Sequence, residues 1–390
     1  MKPDISFDNT EIAFAGRSDL DLRRASLLFR LIGSRVLVEA GKHLMQLGFA
    51  LHLPIAPLIK ATLFKQFVGG ETIEACENTI QRLATYGIGT ILDYSAEGRS
   101  SEAGFEETTA ELLRIIARAR GDQRIPFAVF KVTGLARFEL LEKLSQAEAL
   151  SAEEQAELTR VEDRILRICQ AAAEAETPVL IDAEETWIQA AIDHFALTMM
   201  RRLNREHPWV WNTLQMYRHD RLDYLRELLQ IAQDEGFQLG LKLVRGAYME
   251  KERARAARLG YPDPIQPDKA ATDRDFDAAV ALCLAQLERV AFCAGSHNEV
   301  SNYRLLEQLH AQALPPDHPR IWFAQLLGMS DHLSYNLARA GYRVVKYVPY
   351  APVREIVPYL IRRAEENTSV AGQMGRELDL ITRELKRRRA

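Results

Sequence analysis

The chain has 390 residues, 47% of them apolar and 27% charged, with a formal net charge of −4. That length holds one large α/β barrel or two ordinary domains, and the charge balance argues against a dedicated nucleic-acid binder. Four cysteines (Cys76, Cys169, Cys283 and Cys293), with no CxxC and no tight His/Cys cluster, argue against a zinc site or disulfide framework and suit a reducing compartment.

The opening MKPDISFDNTEIAF has no basic stretch followed by an apolar core, so no secretory signal is read and a cytoplasmic location is expected. From Arg23 to Lys65, seven Lys/Arg face Glu39 alone, amid the apolar stretches LLFRLIGSRVLVEAG and HLMQLGFALHLPIAPLI. The longest uncharged run falls short of the ~18–20 residues of a bilayer span, and Pro54 and Pro57 interrupt it. Two readings remain open: a basic amphipathic segment lying on an anionic membrane surface, or an arm packed on the barrel or another subunit.

After about residue 70, β-rich runs alternate with helical patterns. The runs are Gly87–Tyr94, Ile125–Val132, Thr177–Ala183, Trp209–Met216, Phe237–Val244, Arg289–Gly295, Ile321–Leu327 and Tyr342–Val348. Eight β-then-α units predict a closed (β/α)8 TIM-like barrel, with an open doubly wound sheet as the structural alternative. Residues 1–70 are expected as a helical N-terminal arm and 71–390 as the barrel. Between the second and third runs, Ala136 to Thr177 reads as an acidic helical insertion, with Ser151 and Glu154 at capping-box spacing. Met249 to Asp275, which contains GYPDPIQPDK, reads as a turn-rich loop, and the tail RELKRRRA as a frayed helix end.

Active sites of such barrels lie where strands end. Here the ends offer Asp93, Lys131, Asp182, Gln215, Lys242, Arg245, Ser296-His297-Asn298, Lys346 and Tyr347, with Glu97 just past the first run. This mixture suits a polar, anionic small molecule, although strand-end lysines also serve as internal ion-pair partners, and Asp182 with Glu184 and Glu185 also reads as a solvated loop or helix start. GIGTIL lacks the third glycine of a dinucleotide fingerprint, and no GxxxxGK[ST], HExxH or GxSxG occurs. In the late helix, Val353, Ile356, Val357, Leu360 and Ala364 form an apolar stripe, while Tyr359, Arg362, Arg363 and Glu366 share another face. That face suits a bidentate grip on a small carboxylate, or simply a solvated charged surface. Three functions stay open on residue types alone. One is a Schiff-base lyase or aldolase using Lys131, Lys242 or Lys346. The second is a redox barrel around a cofactor and a small amino acid, and the third a non-enzymatic metabolite-binding barrel.

KLVRGAYMEKE (Lys242–Glu252), GYPDPI (Gly260–Ile265), SHN (Ser296–Asn298), KYVPYAP (Lys346–Pro352) and YLIRRAEEN (Tyr359–Asn367) together resemble the proline dehydrogenase family, the FAD-dependent (β/α)8 enzymes of proline catabolism. The resemblance runs from about residue 80 to 370, and the first 65 or so residues match loosely. It implies oxidation of L-proline to Δ1-pyrroline-5-carboxylate, with hydride going to flavin N5 and electrons on to a quinone. It also implies a catalytic pair, Asp182 and Lys242, the lysine approaching N5. Arg362, Arg363 and Lys131 are implied to clamp the substrate carboxylate, with Leu326, Tyr347, Tyr359 and Tyr248 around the ring. Ala183, Gln215, Val244, Arg245, Gly246, Ala247, Gly295, Ser296, His297, Asn298 and Glu366 are implied to hold FAD with Lys242. Glu97 is implied to pair with Arg362 as a gate. Hydroxyproline-oxidising relatives carry a smaller residue where this chain has Tyr347, so proline is the expected substrate and hydroxyproline the alternative. No aldehyde dehydrogenase module is seen, so a monofunctional enzyme is expected, without a metal or nucleic-acid partner and peripheral at the membrane through its arm.

Overall fold

Strands form where the β-rich runs predict them, at β1 (Ile88–Tyr94), β2 (Phe127–Lys131), β3 (Val179–Asp182), β4 (Val210–Gln215), β5 (Leu239–Val244), β6 (Val290–Gly295), β7 (Ile321–Leu326) and β8 (Val344–Tyr350). They follow chain order around a closed barrel of the (β/α)8 type, and every ladder described is parallel. Both faces of such strands are covered, which is why the runs are continuously apolar rather than alternating. The computed structural model describes residues 5–34, 38, 39, 41, 55–95, 100–369 and 373–389, with backbone alone at 58, 364–369, 373 and 374. The chain divides into two compact units, one spanning Gly98–Ala324 and the other Asp4–Glu97 with Gln325–Ala390.

In the first unit, β2 to β7 form a continuous ladder with register pairs such as Lys131↔Asp182 and Lys242↔Cys293. The insertion after β2 is two helices, Phe138–Ser145 and Ala152–Glu174, and the second carries the complete Ser151/Glu154 capping box. The segment after β5 differs from the expected loop. Met249–Leu259 is helical, ended by Gly260 in the left-handed region at φ 74°, and only the proline-rich stretch up to Asp268 is irregular. Alanines and arginines in MEKERARAARL favour helix, and the prolines lie beyond its end.

In the second unit, β8 pairs with β1 from Ile88↔Val344 to Tyr94↔Tyr350. β8 runs two residues past its predicted end because Pro349 and Tyr350 are held on both sides: Gly69 N–H donates to Pro349 O, and Ser95 N–H to Tyr350 O. The helix Asp19–Ile32 starts at Ser18, whose hydroxyl accepts from Asp21 N–H. It buries Leu22, Ala25, Phe29 and Ile32 in one core with Phe67, Ile356, Leu360, Leu380 and Ile381. Each leucine, isoleucine or phenylalanine side chain among them contributes roughly 1.5–3 kcal/mol on burial. The basic tail is not frayed. The helix Gln373–Arg387 buries Glu384, which accepts from Arg387 and Arg388, and Arg388 also donates to the carbonyls of Phe14 and Arg17 at 2.8 Å. Among the described residues no helix is long and apolar enough to cross a membrane.

Candidate active site

Asp182 ends β3 between two ammonium groups of its own unit. Lys131, at the end of β2, donates to it at 3.3 Å, and Lys242 on β5 donates to its other oxygen. Burial opposes ionisation of Asp182, but Lys242 and Lys131 hold its carboxyl below the usual carboxylate range. The result is a compact +, −, + cluster. Lys242 is almost fully covered, whereas the Lys131 side chain is 26% exposed. A solvated loop is therefore not the setting of this acidic stretch: Asp182, Glu184 and Glu185 are all largely covered, and the helix Thr186–Leu203 begins directly after them.

Past β5 the chain turns through Arg245, Gly246, Ala247 and Tyr248. Arg245 donates to Asp273 and to Ser296 at 2.7 Å, and to Ser301 at 2.8 Å, and it stacks over Phe276. Gly246 has φ 142°, and a Cβ there would lie 2.4 Å from the Tyr217 ring, so the turn requires glycine. Gly246 and Ala247 are exposed, and among the described residues their amide N–H groups meet no acceptor. A guanidinium beside two amides of this kind is a donor set suited to an anion. Ser296 accepts from Asn298 N–H as well as from Arg245, while Asn298 caps the helix Glu299–Ala311 by accepting from Val300 and Ser301 N–H. Gln215 turns its amide to the Glu184 carbonyl at 2.7 Å. Ala183 is buried at the end of β3, and His297 is half-buried in the β6 turn. Val244 and Gly295 pack closely: a Cβ on Gly295 would come within 2.9 Å of a Val244 methyl, so alanine at this position would have to displace it.

Two glutamates to which the sequence reading gave no partner hold these segments together. Glu184 accepts from Thr133 through both the amide (3.1 Å) and the hydroxyl (2.5 Å), and burial pushes its carboxyl up to about 7 against the pull of those bonds. Glu252, wholly buried on the helix Met249–Leu259, accepts in the same way from Thr186 N–H (2.7 Å) and Oγ–H (2.5 Å). Each glutamate thereby ties one βα loop to another. A threonine opening a loop, and a glutamate far from it in sequence, leave no local pattern by which to pair them.

The remaining predicted residues lie in the other unit. Tyr347 on β8 is buried, and its carbonyl accepts from Leu327 N–H at 2.8 Å, beside Leu326 at the end of β7. On the helix Val353–Ser369 the apolar stripe is buried as expected from Val353 to Leu360. Its charged face is not simply solvated: Arg363 is 8% exposed with its guanidinium 5.1 Å from the Tyr359 ring centre, and Arg362 is half-buried. Lys346 is fully buried; it pairs with Asp331 at 3.0 Å and donates to the carbonyls of Met329 and Leu326. Burial pulls its pKa down, yet those three acceptors occupy the ammonium. All three lysines considered for a Schiff base are thus engaged with carboxylates. Glu97 lies outside the described residues, as does the side chain of Glu366.

A closed (β/α)8 barrel with cations and a carboxylate at its strand ends is the framework of a small-molecule enzyme. Residues 76–376 match the family model described as proline dehydrogenase. The carbapenem antibiotics biosynthesis protein CarD of Pectobacterium carotovorum subsp. carotovorum is 35% identical over 322 residues, covering 83% of each chain. The hydroxyproline dehydrogenase of Bos taurus is 33% identical over 435 residues, covering 98% of this chain and 93% of that one. Among solved structures, proline utilization A from Bdellovibrio bacteriovorus, inactivated by N-propargylglycine, shares the fold with a TM-score of 0.72 at 19% identity. That match covers 91% of this chain but 38% of the solved one, so this chain spans well under half of its length. The chain belongs to the proline dehydrogenase family of oxidoreductases.

Proposed function

We propose that this protein oxidises L-proline to Δ1-pyrroline-5-carboxylate. The observation that carries the reading is the Lys131–Asp182–Lys242 cluster at the strand ends of a chain matched to that family across residues 76–376. The chemistry that FAD would supply when bound is hydride acceptance, with electrons leaving to a quinone. The donor set fits such a group: Arg245 and the amides of the exposed Gly246 and Ala247 would suit its diphosphate. Gln215, Ser296, His297 and Asn298 would complete its holding set, and Ala183, Val244 and Gly295 would supply packing surface. Lys242 offers positive charge where negative charge accumulates, and Asp182 orients both lysines. Arg362 and Arg363 are assigned to the substrate carboxylate, and Leu326, Tyr347 and Tyr359 to its ring; in the other unit Lys131 and Tyr248 are assigned the same two roles.

Relatives named hydroxyproline dehydrogenase make trans-4-hydroxy-L-proline the second reading. Tyr347 supports proline, because its bulk fills the space that the 4-hydroxyl needs. The purified protein is expected to be yellow and to bleach on adding L-proline, with kcat/KM for L-proline above that for hydroxyproline. A colourless protein, or a preference for hydroxyproline, overturns the respective part.

The quinone implies contact with a membrane, at its cytoplasmic face in this reading. The helix Asp19–Ile32 supports it: Leu20, Arg23, Arg24, Leu27, Arg30 and Leu31 are exposed at i, i+3, i+4, i+7, i+10 and i+11, one face of leucine and arginine. Sedimentation with anionic phospholipid vesicles, weakened by salt, is the expected result. Equal binding to neutral vesicles counts against it.

A further inference from the structure

The loop between β7 and the helix Asp331–Arg339 is held in an unusual backbone conformation by side chains from distant parts of its unit. Gly328 has φ 78° and Ser330, a non-glycine residue, φ 50°. A Cβ on Gly328 would lie 2.1 Å from the Gln66 carbonyl oxygen, and the Gln66 side chain donates to Gly328 O at 2.7 Å. Glu377, from the C-terminal helix, accepts from Ser330 N–H at 2.5 Å. Arg17 donates to Asp331 through two nitrogens at 3.1 and 2.8 Å and to the Gln66 amide oxygen at 3.2 Å. The Arg17 carbonyl is itself held by Arg388. At the centre, Asp331 stands between Arg17 and Lys346; burial opposes its ionisation, but the two cations keep its carboxyl well below the usual range.

Lys346 carries this arrangement to the loop's beginning. Its ammonium binds Asp331, Met329 O and Leu326 O, and the neighbouring Tyr347 carbonyl takes the Leu327 amide proton. Without Arg17, Asp331 has one cation left, and Lys346 is free to follow it away from the Leu326 carbonyl. Loops that present a functional side chain often store backbone strain of this kind.

We propose that Arg17 and Gln66, far from the strand ends in sequence, are positioning residues for Leu326 and Tyr347, acting through Asp331 and Lys346. This rests on the reading that Leu326 and Tyr347 enclose the proline ring. The first 70 residues then contribute to substrate fit and not only to docking.

The test uses the full FAD-loaded chain with R17A, R17K and Q66A, each checked for folding by its melting temperature and for flavin content by its spectrum. R17A is expected to raise KM for L-proline about 5–20-fold with kcat within about twofold, and Q66A to do so more weakly. R17K, which keeps the charge but not the two-pronged grip, recovers part of the loss. Calorimetric Kd for tetrahydrofuran-2-carboxylate, a ring carboxylate with no amine to oxidise, should rise by the same factor. Loss confined to the folded fraction, with KM and Kd unchanged in what remains folded, overturns the inference, and Q66A carries the test if R17A does not fold. A wild type that oxidises L-proline beside variants of unchanged KM defeats the positioning role alone. A wild type that neither oxidises nor binds L-proline defeats the reading of the pocket, and this inference with it.

Discussion

Two buried aspartates, one in each unit, are built alike and serve differently. Asp182 stands between Lys131 and Lys242, and Asp331 between Arg17 and Lys346. In both, the paired cations outweigh burial and hold the carboxylate ionised. The difference lies in what surrounds the cations. Lys346 is 0% exposed and also bound to two backbone carbonyls, and Arg17 is bound to Gln66, so this cluster is closed on itself. Lys131 keeps a quarter of its side chain exposed at a strand end, so the other cluster can meet a ligand. A carboxylate between two cations is therefore no sign of catalysis by itself; access and the remaining acceptors decide.

The largest expected effect separates the two aspartates. D331N leaves two buried cations without their counter-charge and should cost about 3–5 kcal/mol of stability, read by denaturant unfolding. D182N should cost far less stability but lower kcat about 10²–10³-fold, since it disorders charge where the reaction develops it. Equal destabilisation by both, or full turnover in D182N, erases the distinction. Acid sharpens it further. A depressed carboxylate contributes stability above its ordinary pKa, so the Asp331 contribution is lost as pH falls from about 4 downward, and D331N should flatten that limb of the acid-unfolding curve.

The smallest effect has the opposite sign. Glu184 is raised from its ordinary 4.5 to about 7, so the folded state holds a proton there that the unfolded state has released. Stability from this group is full below pH ~4.5 and is lost as pH rises to ~7. The melting temperature of E184Q should fall less than that of the wild type between pH 5 and pH 8. Parallel curves would show that Glu184 does not titrate there.

Much of the barrel was legible in the sequence. Eight apolar runs of strand length, each followed by a helical pattern, predict a parallel sheet covered on both faces, and the strand order shows the closed barrel rather than the open doubly wound alternative. The strand-end residues Lys131, Asp182, Gln215 and Lys242 were legible for the same reason, because a strand's last residues are fixed once its run is read. The family was legible in segments such as KLVRGAY and YLIRR. What the sequence left open was which charges meet. Lys131, Lys242 and Lys346 looked equivalent as strand-end lysines, yet Asp182 claims two and Asp331 the third. Arg17 and Gln66 meet one loop from 314 and 262 residues away and Glu377 from 47, and Glu184 and Glu252 find threonines after other strands. Periodicity is a local property that backbone geometry imposes on the chain, so it can be read one segment at a time. Charge pairing depends on distances set only when the segments pack, and tertiary structure alone closed one aspartate in with buried partners and set the other beside a partly exposed lysine at a strand end.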